Sequence, residues 1–282
     1  MRALYLITAY KNPAQVAAQV RALAAAAVGF IVHLDRKSGP EIETELRRAL
    51  GDVEGVHFLP RQNVYWAGFS VVEVALRAIA YIDEAGLDPD QFVLLSGQDF
   101  PIKPAETIAT RLAADPDTAY VKYFELPDWQ WLPNERGGLD RFERIYVRDP
   151  RGGMIKLPFR RRVIRSYRPY GGSANCSLGR PHRRYLREEI TRDPAVTRYF
   201  RHANVADEIF FQTMLLNSPL RDSVVNDDLL YSRWLPGANH PELIGEGDID
   251  ALQASKTFFA RKFDVTVAPE AIEAVSQQLL SG

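Results

Sequence analysis

Short apolar runs and helix-like stretches alternate along the first part of the chain. Runs rich in β-forming residues, the pattern of strands buried on both faces, occur at Ala3–Ala9, Gly29–Asp35, Val56–Pro60 and Phe92–Leu95. Stretches with helical spacing or Ala-rich composition lie between them at Pro13–Ala26, Pro40–Leu50 and Ser70–Glu84. Strand–helix–strand alternation of this kind predicts βαβ units and a parallel sheet.

The alternation continues to residue 126, with a predicted helix at Pro104–Ala114 and a predicted strand at Ala119–Leu126. Residues 1–126 therefore predict a doubly wound, mononucleotide-binding half of an α/β fold. They contain neither GxGxxG nor the Walker lysine pattern. The sequence thus gives no support to the phosphate-binding glycine loops of dehydrogenases or NTPases.

The composition changes at Pro127, and residues 127–172 are rich in Trp, Arg, Gly and Pro. We expect this segment to be an irregular excursion from the sheet. Regular structure is predicted again in the last part, residues 173–282, which opens within a strand at Gly171–Gly179 and continues with a helix at Pro181–Ile190. The chain length fits one domain over residues 1–282.

A further helix is predicted in the run ADEIFFQTMLLNS, where apolar residues from Ile209 onward follow helical spacing. Asp207 and Glu208 fall in its predicted first turn. Acidic residues are favoured at that position because they interact with the helix dipole. Taken alone, the pattern indicates helix capping and gives no evidence of a catalytic role for Asp207 or Glu208.

Overall composition is that of an ordinary globular protein, with 46% hydrophobic and 25% charged residues and a formal net charge of −1. That charge predicts no binding to nucleic acid. The single Cys176 excludes an intrachain disulfide framework. The chain opens directly with a strand-like run and lacks an apolar stretch of membrane-spanning length, so we expect a cytoplasmic location.

The central stretch is Gln91–Lys103, in which Asp99 follows a buried strand. In open α/β sheets, ligands bind beyond the carboxyl ends of the strands, so Asp99 is a candidate ligand-binding residue. It could equally close a turn or cap the helix that begins near Pro104. Both interpretations stay open on these residues alone.

Five arginines crowd into nine positions: Arg160, Arg161, Arg162, Arg165 and Arg168. For most of them we expect a solvated surface. The alternative is a basic wall that faces an anionic acceptor or lipid headgroups. Any membrane contact would then be peripheral, at the inner face, through Arg160, Arg161, Arg162 and Arg165.

Several runs, in order, resemble the core-2/I-branching β-1,6-N-acetylglucosaminyltransferase family, which includes the peptide xylosyltransferases. The runs are YLITAYKNPAQV, IVHLDRKS, NVYWAGFSVVEVAL, FVLLSGQDFPIK, GGSANCSL, ADEIFFQTMLLNS, SRW and FFARKFD. The resemblance, to a bacterial-type member, covers most of the chain except residues 127–172. It implies a GT-A-like fold, a single Rossmann-like domain with a mostly parallel central sheet.

The resemblance also implies a function: inverting transfer of a sugar, GlcNAc or xylose, from a UDP-sugar to a hydroxyl of a saccharide or glycolipid acceptor, as in polysaccharide biosynthesis. It implies no metal cofactor. In place of a metal, Arg233 of SRW and Lys262 of FFARKFD would neutralise the diphosphate. Glu208 would be the general base; Ala206 replaces the proline that usually precedes this motif.

Further roles follow from the resemblance. Tyr10, Asp35 and Asp99 would contact the nucleotide sugar, and residues 1–126 would be the nucleotide-sugar-binding half. Residues 173–282 would be the acceptor and catalytic half. Acceptor contacts are expected from Trp129, Trp131 and Ser173. Trp66 lies in a shared run, and we expect it to pack in the interior.

Two alternatives remain. A metal-dependent GT-A transferase would use Asp99 as a metal ligand, although the two DPD runs, at Asp88–Asp90 and Asp115–Asp117, fit turns between helices and strands. A non-catalytic protein would bind a polyanion or membrane through the Arg160–Arg168 cluster. The transferase hypothesis predicts that Glu208, Arg233 and Lys262 surround one cleft.

Overall fold

A computed structural model describes residues 3–149, 153–235, 237–238 and 240–280. The chain forms two compact units. Unit 1 is built from the described residues of Met1–Gln62, Asp88–Pro116 and Leu229–Gly282, and unit 2 from those of Asn63–Leu87 and Asp117–Asp228. The assignment of one domain to residues 1–282 stays a prediction.

The described strands are β1 Ala3–Ala9, β2 Ala27–Leu34, β3 Val56–Phe58, β4 Gln91–Ser96, β5 Asp99–Pro101, β6 Ala119–Glu125, β7 Arg144–Arg148, β8 Met154–Arg160, β9 Tyr170–Gly179, β10 Val224–Val225, β11 Leu230–Ser232 and β12 Phe259–Arg261. The described helices are α1 Pro13–Ala24, α2 Pro40–Ala49, α3 Ser70–Glu84, α4 Ala105–Ala114, α5 Leu139–Glu143, α6 Arg180–Arg192, α7 Ala195–Phe200, α8 Phe210–Leu216, α9 Ile249–Ala254 and α10 Pro269–Leu279.

Unit 1 contains four parallel strands in the order β3-β2-β1-β4. Almost every residue of β1 and β4 is buried, which explains why these strands appear in the sequence as unbroken apolar runs. α1 and α2 pack against each other beside them. The mixed α/β class with mostly parallel strand pairing is confirmed, and it is consistent with a GT-A-like fold.

Unit 1 also contains a small sheet in the order β11-β12-β5. β12 runs parallel to β11 and antiparallel to β5. An apolar core lies against it, in which the rings of Phe100 and Phe263 meet edge to face with centroids 5.8 Å apart. Ile249, Leu252 and Val275 of the last two helices complete that core. The core therefore fixes the backbone on both sides of Lys262.

Unit 2 pairs β6 antiparallel with β9 and parallel with β10. α3, α6 and α8 supply most of its helical packing. A chain of edge-to-face or tilted aromatic pairs forms its interior, with successive centroids 5.0 to 5.8 Å apart. It runs through Phe69, Phe210, Phe200, Phe142 and Tyr199. Such pairs add a preferred geometry to the burial of large apolar surfaces.

Two expectations require correction. The segment expected to be irregular contains α5 and the antiparallel hairpin of β7 and β8. Asp207 and Glu208 lie in a 3-10 turn, Ala206–Glu208, and α8 begins only at Phe210. The extended φ of −133° at Ile209 separates the turn from the helix. Glu208 is therefore not in the first turn of α8.

The pattern analysis also missed α7 and α10. In the described part of the chain, no helix is both long and apolar enough to span a bilayer.

Candidate functional site

The ends of three parallel strands in unit 1 bring predicted site residues to one edge. Tyr10 follows β1, Asp35 follows β2, and Asp99 lies just beyond β4. The Asp35 amide donates to the Ala9 carbonyl at 2.9 Å, and the Gly97 amide donates to the Thr8 carbonyl at 2.8 Å. The structure therefore gathers all three residues where open α/β sheets bind ligands.

Tyr10 and Asp35 differ in their exposure and in their contacts at this edge. The Tyr10 side chain is 51% exposed, and its hydroxyl donates to Gln98 Oε1 at 3.2 Å. Asp35 is buried, and its two carboxylate oxygens accept from the Lys37 amide and face Lys37 Nζ, both at 2.9 Å. Tyr10 thus has an exposed aromatic face, whereas the Asp35 carboxylate already forms an ion pair with Lys37.

Asp99 is fully buried, with 0% of its surface exposed. Its Oδ2 accepts from the Ser96 amide at 2.7 Å, which closes the turn between β4 and β5. Its Oδ1 lies 3.4 Å from Arg261 Nε. The turn-closing interpretation of Asp99 is confirmed, whereas its contact with a nucleotide sugar stays a prediction.

Arg233 and Lys262 directly follow two neighbouring parallel strands, β11 and β12. Ser232 is the register partner of Arg261, and Arg233 and Lys262 are the next residue of each strand. The Glu242 backbone then links the two: its amide donates to the Arg233 carbonyl at 2.8 Å, and its carbonyl accepts from the Lys262 amide at 3.4 Å. The backbones of both residues are therefore held by Glu242, and their joint contact with a diphosphate stays a prediction.

The Lys262 ammonium lies in a partly buried and cationic environment. Burial lowers its pKa, the nearby charges of Arg261 and Lys11 lower that pKa further, and the charge of Asp264 partly opposes these effects. Phe259 and Phe263, on either side of it in sequence, are buried. Within the described residues, no carboxylate oxygen lies within ion-pair distance of Lys262 Nζ. The site around Lys262 therefore favours an added anion.

Arg233 differs from Lys262 in this respect. Its guanidinium is half-exposed and forms ion pairs with Glu242 and, at 2.5 Å, with Asp248. Hydrogen bonds to Asp248 and then to Glu242 raise its pKa above the usual range. Arg233 is thus already neutralised in this structure, and an incoming phosphate would have to compete with two carboxylates for its guanidinium.

No role was predicted for Arg261 or Asp264, although both lie in the run FFARKFD; Lys11 lies in the run YLITAYKNPAQV. Lys11 Nζ binds Asp264 Oδ2 at 2.5 Å, and Asn12 Nδ2 donates to Asp264 Oδ1 at 2.8 Å. Hydrogen bonds from Lys11, which has the larger effect, and from Thr266 hold the pKa of Asp264 far below its usual range. Asp264 therefore ties the loop after β1 to the segment after β12.

In unit 2, Arg141 links predicted catalytic and acceptor residues. Its Nη1 donates to Glu208 Oε2 at 2.6 Å, and its Nε donates to Glu135 Oε2 at 3.1 Å. The guanidinium carbon lies 4.6 Å from the centroid of the Trp131 ring. Glu208 and Trp131 are thus brought together through a residue that the pattern analysis did not single out.

The remaining predicted acceptor residues are more scattered within unit 2. Trp129 is 60% exposed. Ser173 lies on β9, and its carbonyl accepts from Gln212 Nε2 of α8 at 2.7 Å. Trp66 is 71% exposed, so the expectation that it packs in the interior is wrong. An apolar side chain in a shared run had suggested burial, but the turn before α3 directs it to solvent.

Acidic and metal-ligating side chains are dispersed. Among residues 3–149, 153–235, 237–238 and 240–280, no group of three His, Cys, Asp or Glu side chains could hold a metal ion. Metal independence stays a prediction.

The carboxyl-edge site and the mostly parallel α/β architecture are those of a GT-A-like protein. The chain belongs to the Core-2/I-Branching enzyme family, whose family model matches residues 4–256. The resemblance noted in the sequence is thereby confirmed.

Curated relatives share about a quarter of their residues with this chain. Beta-glucuronosyltransferase GlcAT14A of Arabidopsis thaliana is 26% identical over 245 residues, which is 83% of this chain and 54% of the plant protein. Xylosyltransferase 2 of Rattus norvegicus is 26% identical over 266 residues, 86% of this chain and 30% of the rat protein. The chain therefore spans about half or less of the length of these relatives.

The Asp264 cluster generates a stability prediction. Asp264→Asn removes a carboxylate whose pKa is lowered by folding, so it should lower the free energy of unfolding by about 2 kcal/mol at pH 7. A carboxylate with a lowered folded-state pKa stabilises above its unfolded pKa, about 4, and loses that effect as the pH falls. The deficit of the variant should therefore shrink progressively below about pH 4.

Urea unfolding of both proteins from pH 7 to pH 3 measures this difference. Asp250→Asn, at an exposed position of α9, is the matched control and should unfold like the wild type throughout. A deficit for Asp264→Asn that stays constant with pH would show that the carboxylate charge does not carry the effect.

Proposed function

We propose that this chain is an inverting, metal-independent glycosyltransferase. It would transfer a sugar from a UDP-sugar to a hydroxyl of a saccharide or glycolipid acceptor. Family membership supports transfer of a sugar, and the names of the relatives cite xylosyl and glucuronosyl transfer. The observation that carries the proposal is the anion-favouring site around Lys262.

The chemistry of the leaving group explains why such a site suits the reaction. Cleavage of the bond between sugar and diphosphate leaves negative charge on the diphosphate, and fixed cations stabilise that charge in the transition state. Lys262 supplies a point charge, with Lys11 and Arg261 close enough to lower its pKa. Arg233, which follows the neighbouring strand β11, would supply a planar fork that fits two phosphate oxygens once it leaves Glu242 or Asp248.

Asp99 bears on the metal-dependent alternative. One of its oxygens accepts from the Ser96 amide and the other faces Arg261. A divalent ion would have to displace Arg261 from that carboxylate. This arrangement supports side-chain cations, in place of a metal ion, as the groups that hold the diphosphate.

Glu208 is the proposed general base. Inverting transfer requires a carboxylate that accepts the proton of the acceptor hydroxyl as its oxygen attacks the anomeric carbon. The contact with Arg141 at 2.6 Å fixes one oxygen of this carboxylate. Trp131, stacked on Arg141, would present an aromatic face to an acceptor sugar.

Two donor sugars, xylose and GlcNAc, are proposed, and they differ in their support. Xylose agrees with the names of several relatives, whereas GlcNAc rests on the family resemblance alone. A saccharide or glycolipid intermediate of polysaccharide biosynthesis in the cytoplasm is the proposed setting.

Lys262→Ala tests the diphosphate site. Loss of a charge-assisted contact to phosphate, about 1.5–3 kcal/mol, should weaken UDP binding by roughly tenfold or more and should lower transfer at least as much. Isothermal titration with UDP and a transfer assay with a UDP-sugar measure the two effects. Lys256→Ala, an exposed lysine of the same unit, should change neither. Wild-type UDP affinity in Lys262→Ala would remove Lys262 from the proposed site.

Glu208→Gln tests the general base. The amide cannot accept the hydroxyl proton, so transfer should fall by about 10²–10⁴-fold, while the unfolding midpoint and UDP affinity stay near the wild-type values. Glu135→Gln is the matched control because Glu135 binds the same Arg141. Comparable turnover by Glu208→Gln and the wild type would assign the base to another residue.

A further inference from the structure

A cationic cavity lies in unit 2, and three arginines of the Arg160–Arg168 cluster line it. It has a volume of about 600 Å³, within the usual range of small-molecule sites, about 300–1,000 Å³. Its apolar wall comes from four side chains, Ile145, Val163, Ile164 and Ala195. Its polar wall is basic: Arg161, Arg162, Arg165, Arg198 and His202.

Arg161 is partly buried in this basic wall. Its Nε donates to the Phe142 carbonyl at 3.1 Å and its Nη1 to the Tyr199 carbonyl. Its guanidinium carbon lies 3.7 Å from the centroid of the Tyr199 ring. Burial lowers the pKa of Arg161, and Nη2 is buried without a hydrogen-bond partner.

This burial leaves a positive charge that the described residues do not balance. No carboxylate oxygen of the described residues is within ion-pair distance of Arg161. A partly buried charge loses some of its hydration, and without a counter-ion that loss is costly. An anion in the adjoining cavity would reduce that cost.

The other arginines of the cavity differ in how far they are neutralised. Arg165 is paired with Glu189 at 2.7 Å and with Asp193 at 2.6 Å. The hydrogen bond from Arg165 lowers the pKa of Asp193 most, and the charge of Arg198 lowers it further. Arg162 and Arg198 are exposed, and neither has an ion pair among the described residues. The cavity thus holds more positive than negative charge.

We propose that this cavity binds a phosphate ester that carries an apolar chain. The phosphate would lie between Arg162 and Arg198, within the field of Arg161, and the chain would lie along Ile145, Val163 and Ile164. Arginine forks fit phosphate oxygens in bidentate fashion, and the apolar wall favours an alkyl ester over inorganic phosphate. The ligand chemistry is that of a lipid headgroup or of a soluble alkyl phosphate. The inference does not rest on the proposed transferase activity.

The test is binding of octyl phosphate, below its micelle-forming concentration, and of inorganic phosphate by isothermal titration calorimetry. The wild type should bind octyl phosphate saturably and more tightly than inorganic phosphate. Replacing both exposed arginines, Arg162→Gln with Arg198→Gln, should weaken octyl phosphate binding by roughly tenfold or more. Both side chains are exposed, so the unfolding midpoint should be unchanged.

A matched double variant, Arg48→Gln with Arg221→Gln, removes the same charge from exposed positions elsewhere and should bind like the wild type. Lys262→Ala should also retain octyl phosphate binding, which separates this cavity from the proposed diphosphate site. Absence of saturable binding by the wild type, or equal binding by the Arg162/Arg198 variant, would overturn the proposal.

Sedimentation with vesicles distinguishes the two sources of the phosphate. Vesicles of phosphatidylcholine with phosphatidic acid should pull down the wild type, and octyl phosphate should release it, if a lipid headgroup is the ligand. Octyl phosphate binding without vesicle binding would support a soluble ester. Vesicle binding that the Arg162/Arg198 variant retains would contradict the assignment to this cavity.

Discussion

Repulsion between like charges is the constraint on which the candidate site of unit 1 depends. Lys262 lies close enough to Lys11 and Arg261 for both to lower its pKa, and burial lowers it further. Asp264, which is paired with Lys11, and Asp99, 3.4 Å from Arg261, offset part of this repulsion. The fold therefore has to supply the free energy that holds these cations together.

That free energy has two visible sources. The rings of Phe259 and Phe263 are buried, and the latter packs against Phe100, so the backbone at Lys262 cannot move away without exposing apolar surface. Asp264 supplies the opposite charge for Lys11. With the positive charge set before any ligand arrives, little reorganisation is needed when a diphosphate binds, which is the condition for efficient electrostatic stabilisation.

Sequence patterns predicted the parts of the fold in which burial produces a run or a regular repeat of apolar residues. The strands β1, β2 and β4 and the helix α3 were located to within a few residues, because the strands are buried almost throughout and α3 buries one face at helical spacing. The β7–β8 hairpin was missed because most residues of β8 are exposed or half-buried, which leaves no apolar pattern.

The site was predictable in its principal residues but not in their contacts. The ordered family runs identified Glu208, Arg233 and Lys262, yet nothing in sequence spacing reveals that Arg233 pairs with Glu242 and Asp248. Arg141 reaches Glu208 across 67 positions, and such a contact depends on tertiary packing. The common cleft predicted for Glu208, Arg233 and Lys262 stays a prediction.

The affinity of this chain for UDP, measured by calorimetry in EDTA and again in excess Mn²⁺, tests most directly whether side-chain cations hold the diphosphate. The account predicts one dissociation constant in both solutions, and weaker binding at high salt because screening reduces the attraction between the cations and the diphosphate. Binding that disappears in EDTA and returns with Mn²⁺ would contradict it.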